Sequence, residues 1–277
     1  MIIAGIGQAG KEIAKLFKPH SNKYSILIFD AEEGLETKQT VEEYDAIDVK
    51  IPPKSLKNAN EGILFVCGGG KTSGVTLRVL EALSSIKMTV VYIVPDLEFC
   101  SREERIRNKV HFNVLQEFTR SGKIAEMIIL SNNVLLDLAG KGPLLRYYEK
   151  VNYFIYSTFQ NLNYCKNVKQ DFGNLHQPKN ISRISTIGFS HFEENKEKLF
   201  FPLDNITESC YIINIDEEDL NNDEEILPKS QQIVRENKSK GRETSFAIWK
   251  ASDQNNYYVK HYTHHIQEIK WLIKIQE

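Results

Sequence analysis

Two glycine-rich loops, each lying between an apolar run and an amphipathic segment, constrain the fold of this chain more than any other feature. The first contains Gly7-Gln8-Ala9-Gly10 and follows the β-branched N-terminal run. The second, Gly68-Gly69-Gly70-Lys71-Thr72-Ser73-Gly74, follows the apolar run 63–67. Glycines permit tight turns and close backbone approach, and the unpaired N–H groups at the start of a helix attract anions. The sequence therefore predicts two anion-binding loops at the ends of two strands.

Short β-branched runs alternate with helix-period segments in the first half, which predicts an α/β fold with parallel strands joined by helices. The predicted strands are 1–4, 24–29, 63–67, 89–94 and 126–130. The predicted helices are 10–17, 74–85, 102–120 and 144–165. After about residue 167 the predicted elements are strands 182–192, 210–215, 244–250 and 257–263, with a helix near Pro228. We therefore expect a Rossmann-like nucleotide-binding domain over 1–143, a long central helix over 144–166 and a smaller mixed-sheet α+β domain over 167–277.

Composition excludes several classes of protein. The net charge of −2 gives no general attraction to nucleic acid, so no nucleic-acid contact is expected. No apolar stretch is long enough to span a membrane, so we expect no transmembrane segment. The four cysteines are far apart and form no C-x-x-C pair, which indicates reduced thiols in a cytoplasmic protein rather than disulfides or a zinc site.

Two other nucleotide-binding motifs must be weighed against a pair of phosphate loops. The first loop with Asp30, about twenty residues on, is also typical of a dinucleotide-binding domain, in which the carboxylate grips a ribose. A dinucleotide domain needs one glycine loop, whereas two loops on neighbouring strands favour a triphosphate. Gly70-Lys71-Thr72 matches the end of a P-loop, but the first glycine of that motif would fall at Phe65, inside a strand.

In this order the motifs resemble those of the tubulin/FtsZ superfamily. Gly7-Gln8-Ala9-Gly10 is similar to the tubulin loop G-Q-x-G, and Gly68 to Gly74 is similar to the family signature G-G-G-T-G-[ST]-G. Residues 89–99 resemble the strand and proline loop that touch the ribose in FtsZ, and 126–133 resemble its segment D-S-L-I-x-I-P-N-D. The resemblance implies a tubulin/FtsZ-type fold that binds GTP or GDP, with Mg²⁺ accompanying the nucleotide.

The resemblance also implies roles for three residues outside the loops. Asn152 matches the position on the central helix that recognises guanine, and an amide can both donate to and accept from a base edge. Residues 170–175 resemble the loop N-x-D-F-A-D-V, whose two acids polarise the attacking water at the next subunit's nucleotide. Asp171 matches the first acid, but Asn174 stands in place of the second, and an amide cannot accept a proton.

Two departures from the family pattern concern the phosphates. Lys71 and Thr72 replace Thr and Gly of the signature. The interval between Asp30 and Gly68 is short, which indicates that the loop sensing the γ-phosphate is reduced or absent. We therefore expect a filament-forming, guanine-nucleotide-binding protein that associates head to tail, with weak or absent GTPase activity. Two alternatives are an NAD(P)-binding oxidoreductase or regulatory protein and an interaction module that has lost its nucleotide.

The C-terminal segment 264–275 is apolar with interspersed charges. Such a segment can dock on a neighbouring subunit or a membrane surface, and it can equally pack on its own domain. Three histidines lie nearby, at 261, 264 and 265, but no Cys or carboxylate stands at ligand spacing. The sequence therefore predicts no protein-held metal site.

Overall fold

The computed structural model describes residues 1–36, 38, 43, 48–57, 59–140, 143, 146–238, 241–251 and 255–269. The chain divides into two compact units. The first comprises Met1–Ser157 and the chain from Ile266, and the second comprises Thr158–His265. The domain limits at 143 and 167 remain a prediction from the order of the predicted strands and helices.

The first unit is a five-stranded parallel sheet with helices between its strands. Its elements are β1 Ile2–Ile6, α1 Gly7–Leu16, β2 Ser25–Phe29, α2 Pro53–Leu56, β3 Glu61–Cys67, α3 Thr76–Ala82, β4 Lys87–Val94, α4 Arg102–Arg120, β5 Glu126–Ser131, α5 Asn132–Ala139 and α6 Tyr147–Asn167, which continues into the second unit. The strand order is β2-β1-β3-β4-β5, and every neighbouring pair is parallel. The carboxyl ends of these strands therefore share one edge.

The centre of this sheet is buried because its strands are almost wholly apolar. All five residues of β1 are buried, as are the last five of β4. Strands covered on both faces are typical of parallel sheets with helices on each side. Phe112 and Leu115 bury the apolar face of α4.

The second unit contains a mixed sheet. Its elements are β6 Phe172–Asn174, β7 Ile184–His191, β8 Lys198–Leu199, β9 Glu208–Asp216, α7 Glu217–Asn222, α8 Ile226–Glu236, β10 Glu243–Ala251 and β11 Asn256–Thr263. The order is β7-β11-β9-β10-β6, with β8 paired to β7. β9 and β10 are parallel and joined through α7 and α8, and the other pairs are antiparallel. Tyr211, Ile213, Ile233 and Tyr257 lie in its core.

The predicted α/β fold class is confirmed, with local differences in the elements. α5 was not predicted, and the helix predicted over 74–85 begins instead as a 3-10 turn at Lys71–Val75 before α3. Much of the interval between Asp30 and Gly68 lies outside the described residues, so a shortened γ-phosphate loop stays a prediction. None of the helices in the described ranges has the length and apolar character needed to cross a membrane.

The described start of the C-terminal segment packs on its own unit. The Gln267 N–H donates to Gln116 Oε1 on α4 at 2.6 Å, and Gln116 Nε2 donates back to Gln267 O at 3.1 Å. Both glutamines and Ile269 are buried. The predicted contact with a neighbouring subunit stays a prediction, and residues 270–275 of the segment lie outside the described residues.

Candidate functional site

The two glycine loops meet because the strands that precede them are neighbours. β1 and β3 are parallel, with Ile6 opposite Val66, so the first loop and the second leave the same sheet edge. Gly7 has φ +67°, and a Cβ there would lie 2.6 Å from Thr72 Oγ1. Only glycine gives both the left-handed backbone and the space for this contact. The structure therefore joins the loops that the sequence analysis singled out.

The first loop turns directly into the N-terminus of α1. No side chain caps this helix, since the residue before it is Ile6. Gly10 lies against β3, and a Cβ there would be 2.3 Å from Phe65 O. Gln8 is exposed at the first turn. The uncapped N–H groups of the turn formed by Gly7, Gln8, Ala9 and Gly10 are the kind that bind anions.

The second loop is held in place by α4. The Gly68 N–H donates to Ile93 O at 2.9 Å, and Arg107 Nε donates to Gly69 O at 3.0 Å. Gly69 has φ +79°, and a Cβ there would lie 3.1 Å from Glu104 O. Gly70 is exposed, with no atom within 4 Å of the place of its Cβ. The loop is therefore fixed from behind by α4 and open at Gly70.

A buried polar group underlies the second loop. A Cβ on Gly68 would lie 2.0 Å from Asn108 Oδ1 and 2.2 Å from the Tyr92 hydroxyl. The Tyr92 hydroxyl donates to Asn108 Oδ1 at 2.8 Å, and burial raises its pKa well above its ordinary value. This hydrogen bond occupies the space beneath the loop, so position 68 tolerates only glycine.

The rest of the second loop forms the 3-10 turn. The Ser73 hydroxyl donates to Gly70 O at 2.7 Å, and Thr72 and Ser73 are buried, whereas Lys71 is exposed. Gly74 completes the turn. Phe65 is fully buried within β3, where the first glycine of a P-loop would have to be. The arrangement is therefore not a P-loop.

A buried ion pair beside the first loop was missed by the sequence analysis. Lys11 is 1% exposed, and its ammonium lies 2.7 Å from Asp30 Oδ2 and also contacts Glu32. Hydrogen bonds to Asp30, and then to Glu32, raise the lysine pKa above its ordinary range. Ile6 and Phe29 are opposite each other in parallel strands, so Asp30 leaves the same edge as the first loop. Its carboxylate is thus engaged by Lys11.

Asn152 lies half-buried on α6, and its proximity to the loops stays a prediction. A cavity of about 680 Å³ borders the same helix, with Lys150, Tyr153, Phe154 and Ser157 among its lining residues. Asn152 is not one of the described residues that line it.

Asp171 and Asn174, the predicted catalytic pair, lie in the second unit at either end of β6. Both are exposed. Asp171 Oδ2 accepts the Lys250 N–H at 2.8 Å. Gly173 between them has φ +75°, and a Cβ there would be 2.5 Å from Phe246 O. The segment is a fixed edge strand that presents one carboxylate and one amide.

The C-terminal histidines lie in two different settings. His261 is 2% exposed and is hydrogen-bonded to Ser209 and Glu197, at 2.8 Å and 2.6 Å. The ring centroids of His264 and His265 are 4.2 Å apart, with the rings tilted by 37°. That these histidines hold no metal stays a prediction.

Comparison with known proteins finds similarity among solved structures only. No family model matches the sequence, and no curated protein matches it. Among solved structures, the GTPγS-form protofilament of TubZ from Bacillus thuringiensis serovar israelensis has a TM-score of 0.68 at 14% identity, covering 99% of this chain and 88% of that one. The empty FtsZ dimer of M. jannaschii has a TM-score of 0.67 at 12% identity, covering 95% and 87%. The chain has the tubulin/FtsZ fold.

A third solved structure shares this fold. The GTPγS-bound protofilament of CetZ2 from Haloferax volcanii has a TM-score of 0.67 at 10% identity, covering 99% of this chain and 96% of that one. The likeness spans nearly the whole of each chain at very low identity. The family expected from the motifs is thus confirmed at the level of the fold.

Proposed function

We propose that this protein binds GTP or GDP across its two glycine loops and assembles head to tail into filaments. The observation that carries the proposal is the contact between the loops, in which Gly7 leaves room for the Thr72 side chain. Two anion-binding backbone segments at one edge of a parallel sheet suit a chain of phosphates better than a single phosphate. Solved protofilaments with this fold include GTPγS forms, which supports the choice of nucleotide and the mode of assembly.

The residues present fit a nucleoside phosphate. The N–H groups of Gly7, Gln8, Ala9 and Gly10 would hold one part of the phosphate chain. Those of the second loop, from Gly68 to Gly74, would hold the other part, reached through the opening at Gly70. Lys71 adds a positive charge at the exposed side of this loop. A divalent ion, Mg²⁺, would neutralise the phosphates, as it usually does for a nucleoside triphosphate.

The Lys11–Asp30 pair argues against the dinucleotide alternative. In a dinucleotide site the acidic residue at the end of the second strand accepts hydrogen bonds from ribose hydroxyls. Here that carboxylate is 10% exposed and is already bonded to a buried ammonium. A ribose would have to displace Lys11, leaving a buried charge without its partner, which is strongly unfavourable.

Hydrolysis is proposed to be slow or absent. Asp171 and Asn174 would face the nucleotide of the next subunit in a head-to-tail filament, as the resemblance implies. Asn174 cannot take a proton from water, so one of the two groups expected to activate the nucleophile is missing. Binding and assembly do not depend on this group.

The nucleotide carried by the purified protein tests the proposal. Denaturing the protein and identifying the released small molecule by mass should give GDP or GTP. Calorimetry should show a preference for GTP over ATP that is lost in Asn152→Ala, since an unpaired base edge costs roughly 1–3 kcal/mol. Release of a nicotinamide dinucleotide, or equal affinities for GTP and ATP, would contradict the assignment.

A further inference from the structure

The second unit brings one imidazole and two carboxylates together at the open end of its mixed sheet. Glu208 and Glu243 begin the parallel strands β9 and β10 and are directly opposite each other. His176 follows β6, the strand that pairs with the other side of β10. One ligand atom from each of these three residues lies within 4.8 Å of the others.

The carboxylate of Glu208 has an unusual environment. Its side chain is 0% exposed, and within the described part of the chain its polar contacts are the backbone N–H of Lys179, at 3.1 and 3.3 Å, and His176 Nε2, at 3.3 Å. A buried carboxylate requires a cation or several donors to offset its desolvation. Glu243 stands beside it on the neighbouring strand, and two like charges in such a cross-strand pair repel. A cation between them would remove both penalties.

Lys179 now supplies part of that positive charge from the solvent side. Its ammonium lies 2.5 Å from Glu243 Oε1, and both side chains are about half exposed. An exposed ion pair of this kind contributes little to stability, so it can open without much cost. The lysine therefore acts as a displaceable occupant.

We propose that His176, Glu208 and Glu243 form a site for a divalent transition-metal ion, with Zn²⁺ as the best fit. Two ligands of a tetrahedral ion with bonds of 2.0–2.2 Å are roughly 3.3–3.6 Å apart. The 3.3 Å between His176 Nε2 and Glu208 Oε2 already has this value. An imidazole with two carboxylates suits zinc, and a buried thiol, Cys210, lies 3.9 Å from the same nitrogen.

The ion would tie the end of β6 to β9 and β10. His176 is 26% exposed and Glu243 is 54% exposed, so the ion can enter from solvent and retain water ligands. Because β6 carries the segment from Asp171 to Asn174, the metal would fix that segment on the sheet. This assignment does not depend on nucleotide binding, since all three ligands belong to the second unit.

Titration of the metal-free full-length protein with Zn²⁺ by calorimetry tests the site. We expect one ion per chain in the unaltered protein and in the control His191→Ala, which removes an exposed histidine elsewhere in this unit. His176→Ala should weaken binding by at least the roughly 10–100-fold that loss of a mere outer-shell partner costs. Circular dichroism of each variant should confirm that it remains folded.

Lys179→Met provides a test in the opposite direction. The variant removes the ammonium that competes for Glu243, so it should bind Zn²⁺ several-fold more tightly. The increase in melting temperature on adding Zn²⁺ should also be larger than in the unaltered protein. Unchanged affinity in Lys179→Met would contradict Glu243 as a ligand. The proposal would also fail if His176→Ala bound Zn²⁺ as well as the unaltered protein, or if His191→Ala alone abolished binding.

Discussion

Gly69 is the residue whose backbone most directly ties the second loop to α4. Its φ of +79° places it in the left-handed region, and a Cβ would press on Glu104 O. A side chain there costs roughly 1–2 kcal/mol in backbone strain, and relief of that strain would move the loop. We expect Gly69→Ala to weaken GTP binding at least about tenfold, which corresponds to 1.4 kcal/mol, measured by calorimetry.

Gly122→Ala is the matched control for Gly69→Ala. Gly122 has φ +81° and is exposed in the turn after α4. It should lose similar stability while keeping its affinity for GTP. Equal affinities in the unaltered protein and Gly69→Ala would show that the second loop does not contact the nucleotide.

Because of His111, the free energy of unfolding should decrease as the pH falls below 6.5. Its ring is 6% exposed, neither ring nitrogen has a hydrogen-bond partner among the described residues, and burial lowers its pKa to about 4. Between the ordinary value of 6.5 and about 4, the unfolded chain binds a proton that the folded chain does not. Stability due to the neutral ring is therefore complete above pH 6.5 and lost towards pH 4.

The size of this effect follows from the pKa difference. At 1.36 kcal/mol per unit, it reaches roughly 3 kcal/mol by pH 4. His111→Leu should remove most of it, so the free energy of unfolding, measured with urea at pH 7.5 and pH 4.5, should change less in the variant. An identical pH dependence in the two proteins would mean that the imidazole is hydrated or paired in solution.

At the residue scale, the local backbone requirements were predictable and the buried pairings were not. Gly7 and Gly69 were singled out because glycine between a strand and a helix permits a tight turn and close approach of the backbone. The Lys11–Asp30 pair also had a partial signal, since Asp30 directly follows a predicted strand and Lys11 lies in the predicted helix after the first one. The grouping of His176 with Glu208 and Glu243 had none, because these residues are on three segments whose pairing is set by the mixed sheet.

At the element scale, the capping box at the start of α4 links helix stability to the second loop. The Glu104 N–H donates to the Ser101 hydroxyl at 3.2 Å, and the Ser101 N–H donates to Glu104 Oε2 at 2.8 Å. Ser101→Ala should cost about 1 kcal/mol of unfolding free energy. GTP affinity should fall as well, since Glu104 and Arg107 lie against Gly69.

Ser121→Ala changes the same residue type at the other end of α4. Ser121 is exposed, and its hydroxyl donates only locally, to Phe118 O at 2.9 Å. Urea denaturation and calorimetry of both variants should show a loss of stability and affinity confined to Ser101→Ala. A matching loss of GTP affinity in Ser121→Ala would indicate that the effect on the loop is general rather than transmitted through the cap.

Long helices and strands with a regular hydrophobic period were predicted well. Short elements that depend on tertiary contacts were not. α4 was predicted with its observed limits, 102–120, and the structure adds a serine cap at its start. α5 begins at Asn132 without a side-chain cap and has only eight residues, and its start lies in the segment 126–133 that was matched to the family but given no helix. β6 has only three residues, all exposed, and pairs with β10. Three residues are too few to show a periodic signal.

At the scale of the whole molecule, the order of the motifs along the chain predicted the fold, although overall sequence identity to proteins of that fold is very low. Identities of 10–14% to structures of the same fold leave few shared residues. The glycines singled out in the motifs include Gly7 and Gly69, whose positive φ values and close neighbours leave little space for a side chain. Asp171 and Asn174, which we propose to act on a second subunit, are exposed and are less constrained by this chain's own packing.

GTP hydrolysis in the proposed filament should depend on the side chain at position 174. Asn174 is exposed at the end of β6, so Asn174→Asp replaces an amide by a carboxylate without disturbing the core. A general base contributes typically about 10²–10⁴-fold to rate, and restoring one should raise phosphate release from GTP. The increase should appear only above the concentration at which the protein pellets, since the segment would act on the neighbour's nucleotide.

Asn180→Asp, which adds the same charge at another exposed position of the second unit, is the control for Asn174→Asp. It should leave the rate unchanged. Mixing Asn174→Asp with Gly69→Ala sharpens the test, because the first variant supplies the carboxylate and the second lacks a competent loop. In mixtures, activity should depend on junctions in which the carboxylate of one subunit meets the intact loops of the next. Rapid hydrolysis by the unaltered protein, or a rise in Asn174→Asp that is independent of concentration, would show that catalysis does not rely on this shared site.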